Sequence, residues 1–116
     1  MLKPEIKKFD SLDHDPIESW NPKNPYDVDI VITFAIGNSN GDEADYFEGH
    51  FITKNYEDKY SKKHKYFLIE QFSLIRILDI VSLYIESCAR DNWENTAVEI
   101  NKRLYWEFDN YITRDE

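Results

Sequence analysis

Between residues 27 and 53 the chain carries a pattern that limits every other choice it can make. Val28, Ile30, Ile32, Phe34 and Ile36 recur at every second position, with Asp29, Val31, Thr33 and Ala35 between them. Successive side chains of a strand point to opposite faces, so this spacing puts five large apolar groups on one face over 27–36. The run that follows, Gly37-Asn38-Ser39-Asn40-Gly41-Asp42-Glu43, is dense in residues that turn a chain. Tyr46 to Thr53 then reads as the return strand, with Phe47 and Phe51 to one side and Tyr46, Glu48 and His50 to the other. A hairpin this apolar on one face needs a cover, which the rest of the chain must supply.

The cover is legible further on. Leu74, Ile77, Leu78, Val81, Ile85 and Cys88 recur at three-and-four spacing, which predicts a helix to about residue 89 with Ser73 as its N-cap. A second helix is expected to open at Asp91, with Glu94 three residues on in a capping-box-like arrangement and Trp93, Ala97, Ile100 and Leu104 as its buried stripe. The polar stretch 54–65 reads as a short helix or loop. Tyr66-Phe67-Leu68-Ile69 reads as a strand apolar on both faces, hence central or covered. Residues 3–9, with Ile6 and Phe9, make a short edge strand. The loop over about 10–26 holds Pro16, Pro22 and Pro25, and its Trp20 is expected to plug a core edge. Strands clustered before helices indicate an α+β fold: an antiparallel β-sheet of about four strands backed by two C-terminal α-helices. With 116 residues there is room for one core, and 1–116 is read as a single domain.

Charge narrows the function. The formal net charge is −9, which disfavours direct contact with nucleic acid or an anionic membrane and favours a cationic partner. The charge is also localised: from residue 10 to residue 58 twelve carboxylates stand against two lysines. Such a field can raise association rates to about 10⁸–10⁹ M⁻¹s⁻¹ at low salt. Asp42, Glu43, Asp45 and Glu48, on the turn and the return strand, are the candidate contacts for that partner. The only basic stretch, Lys59, Lys62, Lys63 and Lys65, reads as a solvated charge run that guards a sheet edge. A single cysteine, Cys88, cannot form an internal disulfide, and no apolar segment follows the first lysines, so a reducing, cytoplasmic location is expected. No apolar run approaches the length of a bilayer span.

Catalytic constellations are hard to assemble from this sequence. His14, His50 and His64 are scattered, with no metal-ligand spacing. The 38–43 turn is rich in oxygen donors, yet its glycine comes too early for an EF-hand and no glutamate closes a twelve-residue loop. Cys88 falls on an apolar stripe, where cysteine behaves as a small hydrophobe. Three glycines leave no phosphate-cradling loop. The expectation is a binding protein with no catalytic residue, cofactor or metal.

The C-terminal part adds a resemblance. Asp91-Asn92-Trp93-Glu94, then Ala97, then Trp106-Glu107-Phe108-Asp109-Asn110-Tyr111 resembles the ending of the Imm8-type immunity proteins, where a helix with an early tryptophan leads into a W-E-F-(E/D)-x-Y tail. Upstream the resemblance runs through Ile36-Gly37, the acidic turn, Phe47, Thr53, Phe67-Leu68-Ile69 and Glu86-Ser87-Cys88, from about residue 27 onward. It implies a bacterial immunity protein that binds and neutralises one cognate toxin domain, for example a nuclease in contact-dependent growth inhibition, without catalysis or cofactor. Trp106, Phe108 and Tyr111 are themselves expected to close a core edge. Two other classes fit the residues alone: an acidic adaptor or DNA mimic that inhibits a host or phage nucleic-acid enzyme, and a small hydrolase. Homodimerisation through an exposed strand stays open.

Overall fold

The computed structural model describes residues 2–109. Five strands form one sheet: β1 (Pro4–Asp10), β2 (Asp29–Asn38), β3 (Asp45–Ile52), β4 (Phe67–Leu68) and β5 (Tyr105–Trp106). Two helices, α1 (Leu74–Ser87) and α2 (Trp93–Ile100), cover its inner face, so the α+β arrangement holds. The hairpin is the centre of the sheet. β2 and β3 pair antiparallel from Asp29↔Ile52 to Ile36↔Asp45, and β1 pairs antiparallel with β2 across a bulge at Ile6–Lys8. On the other edge of β3, β4 runs parallel beside Phe51 and Ile52, while β5 runs antiparallel beside Phe47 and Glu48. β3 is therefore paired along both edges.

Alternation decides which side chains become core. Ile30, Ile32, Phe34 and Ile36 of β2 and Phe47 and Phe51 of β3 are buried at 1% exposure or less. They pack against Ile77, Val81 and Ile85 of α1, Ala97 and Ile100 of α2, and Leu104. Cys88 is buried in the same cluster as a free thiol. Burying a Phe or Ile side chain stabilises by about 1.5–3 kcal/mol, so this layer outweighs any surface contact described below. Ser73 caps α1 by accepting from the Arg76 N–H at 3.4 Å. Trp20 packs against the core with its ring edge on Phe72, centroids 4.7 Å apart, and His14 stacks on its exposed side at 3.8 Å.

Four expectations need correction. The cap of α2 is Asn92, whose Oδ1 accepts from the Asn95 N–H at 2.8 Å; the helix starts at Trp93, after Asp91. The 66–69 segment contributes only a two-residue strand at the end of the sheet, parallel to β3, with Leu68 half-exposed. Its Phe67 and Ile69 are buried in the core cluster, while Leu68 turns out onto a groove of about 620 Å³ that Tyr26 and Thr53 also line. Phe108 is 45% exposed and closes no core edge, whereas Trp106 does so by stacking on Phe47; Tyr111 falls outside the described residues. Finally, Lys65 is no solvated guard: its Nζ donates to the Leu104 carbonyl at 2.9 Å and to the Asn101 carbonyl, tying the chain after α2 to the sheet edge.

Candidate functional site

Two places on the molecule gather charged and polar side chains. The first is the open end of the hairpin. There the 39–44 turn folds back so closely that a Cβ on Gly37 would meet the Glu43 carbonyl oxygen at 2.1 Å, so position 37 admits only glycine. This seating turns Asp42 and Glu43 to solvent on the rim of a cleft of about 550 Å³, lined by Gly37, Asn38, Gly41, Asp42, Glu43, Asp45 and Trp93 among others. Among the described residues the side chains of Asp42 and Glu43 make no hydrogen bond or ion pair, so their full charge faces outward.

Asp45, two residues on, is different. Its Oδ2 accepts from the Trp93 indole at 2.9 Å and the Trp106 indole at 3.1 Å. These two rings flank Phe47, one edge-on at 6.4 Å and one stacked at 6.2 Å. Asp45 is thus the polar keystone of an aromatic corner that joins β3, α2 and β5. Glu48 is exposed on the outer face of β3, opposite Thr33 and Tyr105, and does not line the cleft. Of the four residues singled out by charge, the structure brings Asp42, Glu43 and Asp45 together, gives Asp45 an internal duty and leaves Glu48 apart.

The second place is the outer face of the sheet near the other end of the hairpin. Here Asp29, His50, His64 and Tyr105 form one continuous chain. His50 Nε2 meets Asp29 Oδ1, His50 Nδ1 meets His64 Nε2 at 2.6 Å, and His64 Nδ1 meets the Tyr105 hydroxyl at 3.0 Å. The Tyr60 hydroxyl donates to Asp29 Oδ2, and the Lys65 N–H donates to the Tyr105 oxygen at 2.8 Å. With both imidazoles neutral and Asp29 ionised, the proton positions are determined. His50 must carry hydrogen on Nε2 for Asp29, so its bare Nδ1 accepts from His64, whose bare Nδ1 accepts from Tyr105. Every group in the chain is then satisfied.

The electrostatics follow from this wiring. Burial pushes the Asp29 carboxyl upward, but the hydrogen bonds from Tyr60 and His50 outweigh it and hold the group below its ordinary 3.8. The same bond to Asp29 pushes the Tyr60 phenol up to about 12. His64 is lowered from its ordinary 6.5, first by burial and then by its neighbour His50. Burial likewise lowers Lys65.

The sequence brings up His50 and His64 only as histidines without metal-ligand spacing, and does not assemble this group, although half of it is within reach. Asp29 and His50 share the outward parity of their strands, and pairing the hairpin sets Val31 opposite His50. That brings Asp29 diagonally beside the histidine. His64 and Tyr60 arrive on a loop whose path no spacing rule gives. Among the described residues no group of three or more His, Cys, Asp or Glu is placed to hold a metal.

The family comparison bears on the whole chain. The family model described as Immunity protein 8 matches residues 4–111, extending the likeness into the N-terminal residues where the sequence resemblance is loosest. No curated protein and no solved structure matches.

Proposed function

The chain belongs to the immunity protein 8 family, a family of immunity proteins that oppose polymorphic toxins, and from that premise we propose that it neutralises one cognate toxin domain by docking the acidic hairpin turn on a cationic part of it. The observation that carries the reading is the seating of Asp42 and Glu43. Both are aimed outward by a turn fixed on Gly37, and neither spends its charge inside the molecule. Carboxylates free in this way steer a cationic partner and set its orientation. The cleft behind them, walled by Trp93, is wide enough to admit a lysine or arginine side chain of the toxin, where an indole face adds cation–π attraction. Glu48 extends the same negative field along β3. If the toxin is a nuclease, its phosphate-binding residues are the natural counterpart. Inhibition then proceeds by occupation or blocking, with no bond made or broken, in the cytoplasm of the cell to be protected.

The test is co-expression with the toxin domain encoded beside the gene. Rescue of growth and a co-eluting complex are expected. In the purified pair, Asp42→Lys with Glu43→Lys should slow association and flatten its salt dependence while the fold stays intact. Kinetics unchanged by that double reversal would remove the turn from the interface. Asp45 must be left out of the reversal, because its loss would damage the aromatic corner and confuse folding with binding.

A further inference from the structure

The histidine pair on the outer face poses a question of proton count that hydrogen-bond arithmetic answers. His50 Nδ1 and His64 Nε2 face each other at 2.6 Å, a separation that requires one proton between them. With both rings neutral, the hydrogen sits on His64 and the chain runs from Tyr105 through His64 and His50 to Asp29. One added proton is tolerated. His50 becomes the donor on both sides, to Asp29 and to His64, and His64 changes tautomer to donate from Nδ1 to the Tyr105 oxygen. A second proton is not. Both facing nitrogens would then carry hydrogen, and Asp29 alone would answer two imidazolium charges.

What hangs on this contact is specific. His50 belongs to β3, whereas His64 belongs to the loop after residue 60 and is bonded to β5 through Tyr105. Tyr105 points to the outer face, and its neighbour Trp106 reaches Asp45 in the aromatic corner. β5 is therefore pinned by two adjacent side chains, one on each side of the sheet. We propose that His50 and His64 form a proton-operated latch, which holds the 60–65 loop and β5 on β3 while the pair carries at most one added proton and releases them when both rings are charged.

The surroundings place this charge change in one spot. His50 is faced by Asp29 from β2 and by Tyr60 from the loop, whose ring sits edge-on at 4.7 Å. His64 is stacked on Tyr60 at 4.7 Å and lies near Tyr66 and Tyr105. Lys59 acts on Asp29 through space, Lys65 lies over the Tyr105 ring at 4.3 Å, and Glu48 stands opposite Tyr105 on β3. Asp29 is the sole carboxylate bonded to either ring among the described residues. Tyr60 and Tyr66 are pushed above the ordinary phenol value by their carboxylate partners Asp29 and Glu57, so both stay neutral throughout the range in which histidine titrates. The latch is independent of any partner's identity.

Amide hydrogen exchange reads the latch directly, because two of its backbone donors report on it. The Lys65 N–H is bonded to the Tyr105 oxygen, and the Glu107 N–H to the Tyr46 carbonyl at 3.0 Å. Protection factors of the whole chain would be followed from about pH 8 to about pH 4.5, across the histidine range. The expected result is at least a tenfold loss of protection at Lys65 and Glu107, with the amides of the β2–β3 ladder unchanged. His64→Gln should show no such step at any pH. Equal protection of the two amides at both ends of the range would overturn the latch, as would the wild-type step persisting in His64→Gln. Should that variant fail to fold, the ring resonances of His50 and His64 in the wild-type chain decide. His50 and His64 are expected to titrate in two separated stages, β5 opening with the second. Independent titration of the two rings, or opening with the first proton, would refute the proposal.

Discussion

The hairpin turn and the outer-face histidine chain are both polar, and they spend their polarity in opposite ways. On the outer face each donor meets an acceptor of the same molecule: Asp29 takes two bonds, His50 two, His64 two and Tyr105 two. At the turn, Asp42 and Glu43 take none among the described residues, and the backbone that carries them is held by close packing of Gly37 on Glu43. A polar group already satisfied has little to offer a partner, because binding must first undo what it has. A group held rigid and left open loses little on binding. The contrast separates residues that keep the fold from residues available to an interface, at the two ends of one hairpin.

Substitutions can press on this contrast, beginning with the largest expected change. Asp45→Ala removes the charged acceptor of two indoles and should destabilise by about 2–4 kcal/mol, read as a shift in the urea midpoint. Asp45→Asn keeps an acceptor and should recover part of that loss. Gly37→Ala forces the turn away from its seat and should cost about 1–3 kcal/mol. It should slow toxin association as well, since the acidic rim moves with the backbone; normal association would mean that the seating is irrelevant to binding.

Asp29→Asn comes next, with an effect that depends on pH. The Asp29 carboxyl is held below 3.8 in the folded chain, so its stabilisation is complete above that value and disappears as pH falls through the folded-state value. The wild-type chain should therefore lose stability in acid faster than Asp29→Asn, and the two should converge at the acid end of a denaturation series. Parallel curves would show that Asp29 is not held by Tyr60 and His50 as described. Smallest in stability is the double reversal at Asp42 and Glu43, within about 0.5 kcal/mol. Its effect belongs to the association rate, which should fall at least about tenfold at low salt. A large loss of stability there would erase the distinction between the two regions.

Legibility in the sequence followed the range of the interactions involved. β2, β3 and α1 announce themselves because periodic apolar residues report a face locally, and Ile30 to Ile36 and Ile77 to Ile85 are buried as that periodicity requires. The cap of α2 was misplaced by one residue because Asp91 and Asn92 are both good caps, and only backbone geometry chooses between them. An apolar run of four cannot distinguish a central strand from a two-residue strand at the end of the sheet, where Phe67 and Ile69 are buried and Leu68 faces out. At the turn, composition marks the acidic residues, but not that Asp45 is taken up inside the molecule, because its partners Trp93 and Trp106 lie far along the chain. Hairpin parity brings Asp29 beside His50, but the rest of the histidine chain is out of reach for the same reason: His64 and Tyr105 are separated by 41 residues.

The shape of β1 has a consequence for how this chain behaves in a crowded cell. With β3 paired along both sides, β1 offers the longest open edge of the sheet. It begins at Pro4, which has no N–H to give, and a bulge at Ile6–Lys8 breaks the even spacing of donors and acceptors. A second copy laid along this edge would lose register within a few residues and meet Lys3, Lys7 and Lys8. Such an edge gives a neighbouring strand little to pair with, so strand-to-strand association along β1 is disfavoured.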